Sequence, residues 1–234
     1  MQPFRFMFSN CTYEARFWNP EDGIIGDCIA LDTETTLIEP GEIPRLVTAQ
    51  AYAGEDIVYL IRREYISDFM RLHEDCVITM HNAAFDVAVI TAETGFDFDP
   101  MIRGERLYDT GLMYRLYRLA TVGVVPAWNL EETAKQCLGI HVDKNEDIRQ
   151  TFGQFMEHGS VDYERIPIAH LKYAAVDAIV TYLLFDCLNR RIGTLDASNY
   201  LSHKIQLMGA ISLAAIERHG ICINEKRNAN ILGF

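Results

Sequence analysis

Residues 24–31, IIGDCIAL, form a β-rich run that leads straight into an acid, Asp32. Two more β-rich runs follow, RLVTAQAY (45–52) and IVYLI (57–61), split by the turn-forming Ala53-Gly54-Glu55-Asp56. A strand followed by a β-hairpin is expected. This constrains all that follows, because the sheet must contain antiparallel pairs. Residues 64–73 then show helical apolar spacing, 76–80 read as a short buried strand, and 82–93 as a helix stopped by Gly95. From 108 onward the spacing is helical: 108–120, then 129–138 ending at Gly139, then a long helix over 168–189. The expected class is α/β, with a mixed β-sheet flanked by helices. A further helix over 197–219, apolar at Ile205, Leu207, Met208, Ile211, Leu213 and Ile216, ends at Gly220 and has no place in the sheet. The expected organisation is an N-terminal extension over 1–23, a main domain over 24–195 and a C-terminal helical appendage over 196–234. Within the extension, FRFMF reads as an edge strand.

With 234 residues, 49% of them apolar, the chain is long enough for one domain with its own core. Lys and Arg number 21 against 33 Asp and Glu, a net charge of −12. That balance excludes a protein gripping nucleic acid by bulk positive charge. It leaves open a nucleic-acid enzyme whose carboxylates hold metal ions. No apolar run approaches the roughly 20 residues of a membrane span, and the start MQPFRFMFSNCTYE lacks the pattern of a signal peptide. An intracellular, cytoplasmic protein is expected (host cytoplasm for a viral chain), with no membrane partner. Cys11, Cys28, Cys76, Cys137, Cys187 and Cys222 are scattered, with no Cys-x-x-Cys pair. Reduced thiols, several of them buried, are expected, and a zinc site is not.

Three acidic motifs stand out. Asp32-Thr33-Glu34 closes the first strand, and residues two apart in a strand face the same side. Paired carboxylates at a strand end are costly unless a cation neutralises them, and divalent cations prefer carboxylate oxygens. Alone, the motif equally describes a solvated acidic turn. Asn82-x-x-x-Asp86 places two side chains on one face near a helix start. Asn82 has the ordinary chemistry of an N-cap, but Asp86 lies among Ala83, Ala84, Phe85, Val87, Ala88, Val89 and Ile90. Tyr173-x-x-x-Asp177 repeats the one-turn spacing in another apolar helix.

In this order, the three motifs resemble the DEDD superfamily of 3′–5′ exonucleases, which have an RNase H-like fold. The resemblance covers about residues 24–190, and Asp32, Glu34, Asp86 and Asp177 match the four family acids. Tyr173 lies four positions before the last acid, and Lys172 stands where the other branch has His, so the chain resembles the Tyr branch. That branch holds the proofreading domains of DNA polymerases and RNase D-like enzymes. Weaker echoes are Tyr108-Asp109-Thr110, NLEETAKQCLG and Asp143-Lys144. The stretch from Ile205 to Leu232, with Glu217, Gly220 and Ile221-Cys222-Ile223-Asn224, is similar to the segment joining exonuclease to polymerase in family A DNA polymerases.

The resemblance implies two divalent ions, Mg²⁺ or Mn²⁺, held by Asp32, Glu34, Asp86 and Asp177, with Asp32 bridging. Tyr173, with a phenol pKa of about 10, is too weak an acid to be a general base and would orient the attacking water. The implied substrate is a single-stranded or frayed DNA 3′ end, cut to 5′-mononucleotides in proofreading. The implied partner is a DNA polymerase, in cis or in trans. An RNase D-like RNA exonuclease and an inactive polymerase-binding scaffold are the other readings. Thr36, Leu37, Asn82, Phe85 and Lys144 are candidate substrate contacts. Arg103, Arg106, Arg115, Arg118, Lys135 and Arg149, with Tyr108, Tyr114 and Tyr117 interleaved, offer either a single-strand track over 103–118 or a solvated helix face. With so few local cations, affinity for a free strand is expected to be weak and strongly salt-dependent, and digestion distributive.

Overall fold

The structure, a computed structural model, describes residues 2–124, 127–142, 146–194 and 198–220. A seven-stranded sheet forms its centre. Strands β1 (Phe4–Phe8) and β2 (Cys11–Phe17) form an antiparallel hairpin, turned by Ser9 and Asn10 at φ 47° and 66°. Positive φ at both turn residues matches the right-handed twist of the strands. Strand β2 pairs in parallel with β5 (Ile57–Arg62), which pairs antiparallel with β4 (Leu46–Tyr52), and β4 antiparallel with β3 (Cys28–Thr35). Beyond β3 lie β6 (Val77–Met80) and β7 (Leu107–Asp109), both parallel. The sheet is mixed, as the early hairpin requires.

Helices cover both faces. One carries α1 (Ile66–Leu72), α2 (Ala83–Thr94), α3 (Asp99–Arg103) and part of α8 (Ser198–His219), around Trp18, Ile29, Leu31, Phe69 and Ile78. The other carries α4 (Thr110–Thr121), α5 (Leu130–Leu138), α6 (Glu146–Thr151) and α7 (Ile168–Gly193). A two-stranded ribbon, β8 (Met156–Glu157) and β9 (Ser160–Val161), sits outside the main sheet. Glycines at positive φ, Gly95 and Gly139, end α2 and α5 as expected. Helix α7 is long and apolar enough by composition to cross a membrane, but 61% of its apolar window is buried inside the protein. Its apolar character serves the core.

Several boundaries differ from the sequence-based expectation. The first strand begins at Cys28, where pairing with Val77 begins, and runs on to Thr35, so Asp32 and Glu34 lie inside it. Residues 107–109 are a strand and not the start of a helix; three residues are too few to show a period. Residues 1–23, set apart above, supply β1 and β2 of the main sheet. The appendage helix packs against α2 and α4, with Leu207 fully buried. The five cysteines among the described residues are free thiols; Cys76 and Cys137 are buried, and Cys11 is exposed.

Candidate active site

Alternation along β3 aims Asp32 and Glu34 at the α7 face and Thr33 at the α2 face. Helix α7 brings Asp177 to the first two acids: one carboxylate oxygen from each of Asp32, Glu34 and Asp177 lies within 4.8 Å of the others. Asp86, only 2% exposed, approaches from the opposite side on α2 and accepts a 2.6 Å hydrogen bond from Thr33 Oγ1. The four acids therefore meet around the C-terminal half of β3, three from one face of the sheet and one from the other. All four line a cleft of about 530 Å³ together with Thr33, Ile38, His81, Asn82, Phe85, Trp128, Arg149 and Tyr173.

Electrostatics makes the cluster expensive when empty. Burial, opposed in part by the Gln50 hydrogen bond and by Arg149, pushes the Asp32 carboxyl up to about 6. Burial first, then the charges of Asp32 and Asp177, hold Glu34 well above the usual carboxylate range. Burial and Asp32 do the same to Asp86. Hard cations relieve this charge and prefer oxygen ligands, so the residues present fit a divalent metal. Burial also raises the Tyr173 phenol, with Asp177 and Glu34 adding to the shift. Its hydroxyl therefore stays protonated at neutral pH.

A sequence model of a family described as 3′–5′ exonuclease matches residues 19–193. The chain belongs to the 3′–5′ exonuclease family. That family's enzymes are metal-dependent hydrolases. No curated protein sequence matches significantly. Among solved structures, Brucella melitensis NrnC with bound Mg²⁺ is similar at TM-score 0.61 and 17% identity, over 88% of this chain and 92% of that one. The same protein bound to pGG gives TM-score 0.59 and 18% identity, over 85% and 88%. Escherichia coli RNase D, an exoribonuclease involved in structured RNA processing, gives TM-score 0.57 and 19% identity, over 84% of this exonuclease and 46% of RNase D. At these identities the likeness is one of fold.

The structure sorts the remaining candidate contacts. Phe85 and Asn82 line the cleft, whereas Thr36 and Leu37 face a neighbouring groove; of that loop, Ile38 reaches the acids. Thr36 exchanges hydrogen bonds with the Arg45 backbone. Lys144 and Asp143 lie outside the described residues. Asn82 occupies the N-cap position of α2 in the left-handed region, φ 67°, without a side-chain cap bond. Asp109 caps in its place, accepting from the backbone N–H groups of Asn82 and Ala83 at 3.2 and 2.9 Å. Part of the 103–118 stretch is taken up by packing and ion pairs. Tyr114 is buried, Tyr108 packs against Phe185 and His203, and Arg103 and Arg106 pair with Asp99 and Asp75. The periodicity there served packing.

Four residues with a part in the site were not singled out from sequence, Thr33, Gln50, His81 and Trp128, and Asp109 was noted only as a weaker echo. Gln50 pairs across the strands with Asp32 and donates its Nε2 to Asp32 Oδ2. A polar residue inside the apolar run LVTAQAY was the available signal.

Proposed function

We propose that this exonuclease removes nucleotides one at a time from unpaired RNA 3′ ends, releasing 5′-mononucleotides. The reading is carried by the convergence of Asp32, Glu34 and Asp177 within one cation's reach, with Asp86 closing the far side. These four carboxylates would hold two Mg²⁺ or Mn²⁺ ions. When bound, such ions lower the pKa of an attacking water and stabilise the departing 3′ oxygen. Tyr173, one helical turn from Asp177 and protonated, holds the water's orientation by hydrogen bonding. Arg149 is the only Lys or Arg side chain lining the cleft among the described residues, and it offers a cation to the scissile phosphate. Phe85 and Ile38 give the terminal nucleotide an apolar wall.

Preference for RNA is supported by the kind of enzyme that shares the fold, exoribonucleases of the RNase D type. The second reading, proofreading of DNA beside a polymerase, rests on the resemblance of 205–232 to a polymerase junction. Its residues beyond Gly220 lie outside the described residues. One experiment separates the two. The purified chain is given 5′-labelled single-stranded RNA and DNA of one sequence, with Mg²⁺. RNA shortened at least tenfold faster, laddering from the 3′ end, supports the first reading; the reverse order supports the second. Asp32→Ala and EDTA should abolish turnover on both. Turnover that survives them would remove the site assignment.

A further inference from the structure

Trp128 stands on the wall of the acid cleft, where metal chemistry has no use for an indole. Its seat is built by residues of α4 and by His81. A Cβ on Gly111 would lie 2.9 Å from Cε3 and 3.1 Å from Cζ3 of Trp128, so only a residue without a side chain lets the ring come this close. The Arg115 guanidinium lies 5.2 Å from the ring centre. The Trp128 carbonyl is 3.0 Å from His81 Nε2, and His81 Nδ1 is 2.8 Å from Thr110 Oγ1. A carbonyl only accepts, so Nε2 carries a proton and donates it to Trp128. The ring is half-buried, held at its edge, face and backbone, and open to the cleft shared with all four acids.

A fixed aromatic plate loses little freedom when a ligand lands on it. Every nucleobase has a face that stacks on such a plate, and only a base outside a duplex can present it. The surroundings offer little else. Arg149 is the one Lys or Arg lining the cleft among the described residues, and several other arginines are paired with acids: Arg63 with Glu93, Arg103 with Asp99, Arg165 with Glu157 and Arg190 with Asp186.

We propose that Trp128 is the stacking residue for one unpaired nucleobase at or beside the 3′ terminus, so that this enzyme selects single-stranded ends by base stacking more than by backbone charge. The proposal rests on the exonuclease reading above.

The test uses the full chain and oligonucleotides of ten residues or so. Trp128→Leu keeps apolar volume but removes the aromatic face, and its KM should rise roughly ten- to hundredfold with kcat nearly unchanged. Trp128→Phe should recover most of that loss. An abasic residue is then walked through the last three positions. At one of them the unaltered enzyme should lose as much as Trp128→Leu does, and the variant should be indifferent to the missing base. The chain has two tryptophans, and Trp18 is fully buried, so emission quenched by oligonucleotide in Ca²⁺ would report Trp128. A wild-type KM in Trp128→Leu, or equal abasic penalties in both proteins at all three positions, overturns the proposal. Should the leucine variant fail to fold, unchanged emission of the unaltered protein overturns it equally. Failure of the exonuclease reading looks different: no nucleotide is released from any 3′ end, whatever the emission does.

Discussion

Gln50 shows how much of a metal site lies in residues that touch no metal. It is fully buried, sits opposite Asp32 in the sheet and fixes one carboxylate oxygen through its amide. Gln50→Leu should preserve the fold and lower activity about 10–100-fold, the usual cost of losing a residue that orients a ligand. Mg²⁺ titration of activity would show a weakened metal requirement curve. The acids make a second prediction at this scale. Asp32 titrates near 6 in the folded protein against about 3.9 in an unfolded chain. The fold therefore binds that proton more tightly. Its contribution to stability is complete below about pH 4 and is lost as pH rises through 6. Glu34 and Asp86, shifted the same way, prolong the loss upward. In EDTA the Tm should fall between pH 5 and 8, and Mg²⁺ should restore it. Asp32→Asn should stabilise the metal-free protein at pH 8 by about 1–2 kcal/mol, solvent screening included. Asp86 and Asp177 stood out in the sequence because each sits among apolar neighbours, whereas Asp32 and Glu34 stood out through the order of the three motifs. Gln50 and Thr33 did not, because their meaning comes from cross-strand register and from a partner 53 residues away.

At the scale of elements, the placement of Asp86 depends on a chain of contacts that runs through the appendage helix. The Asp109 side chain accepts from Asn82, Ala83, Gly111 and Leu112, joining the starts of α2 and α4. The Asp109 N–H in turn donates to Nε2 of His203 on α8 at 3.0 Å. Tyr108 stacks on the His203 ring at 5.3 Å, and Lys204 reaches the Arg103 carbonyl at 2.7 Å. Burial lowers the His203 pKa, which keeps the acceptor lone pair available at neutral pH. His203→Leu strands a buried backbone donor and should cost about 1–3 kcal/mol by urea unfolding. His203→Gln, which retains an acceptor, should cost less and keep more activity. An equal loss in both variants would show that ring packing alone matters. Element identities were mostly readable from apolar period and glycine stops. The docking of α8 was not, because Ile205, Leu213 and Ile216 on its exposed side look as apolar as the buried Leu207. No period tells a covered apolar face from an open one.

The whole molecule carries a charge of −12, and eight of its 21 Lys and Arg side chains form ion pairs with its own acids among the described residues. An extended basic track would have made binding steep in salt, since each neutralised phosphate releases counterions. With Arg149 the one Lys or Arg lining the cleft among the described residues, few phosphates are neutralised. Salt also screens the long-range repulsion between an acidic protein and its polyanionic substrate, which works in the opposite direction. The two effects partly cancel, so a shallower salt dependence is expected than composition alone suggests. The logarithm of kcat/KM against the logarithm of salt concentration should fall with a slope of about −1 to −2, set by one or two phosphate contacts. For the same reason kcat/KM should stop rising once a substrate exceeds the few nucleotides that the cleft can hold. Digestion should remain distributive, with every intermediate length populated in a trap experiment. A slope near −5 with processive digestion of long strands would mean that a cationic surface outside the cleft holds the substrate.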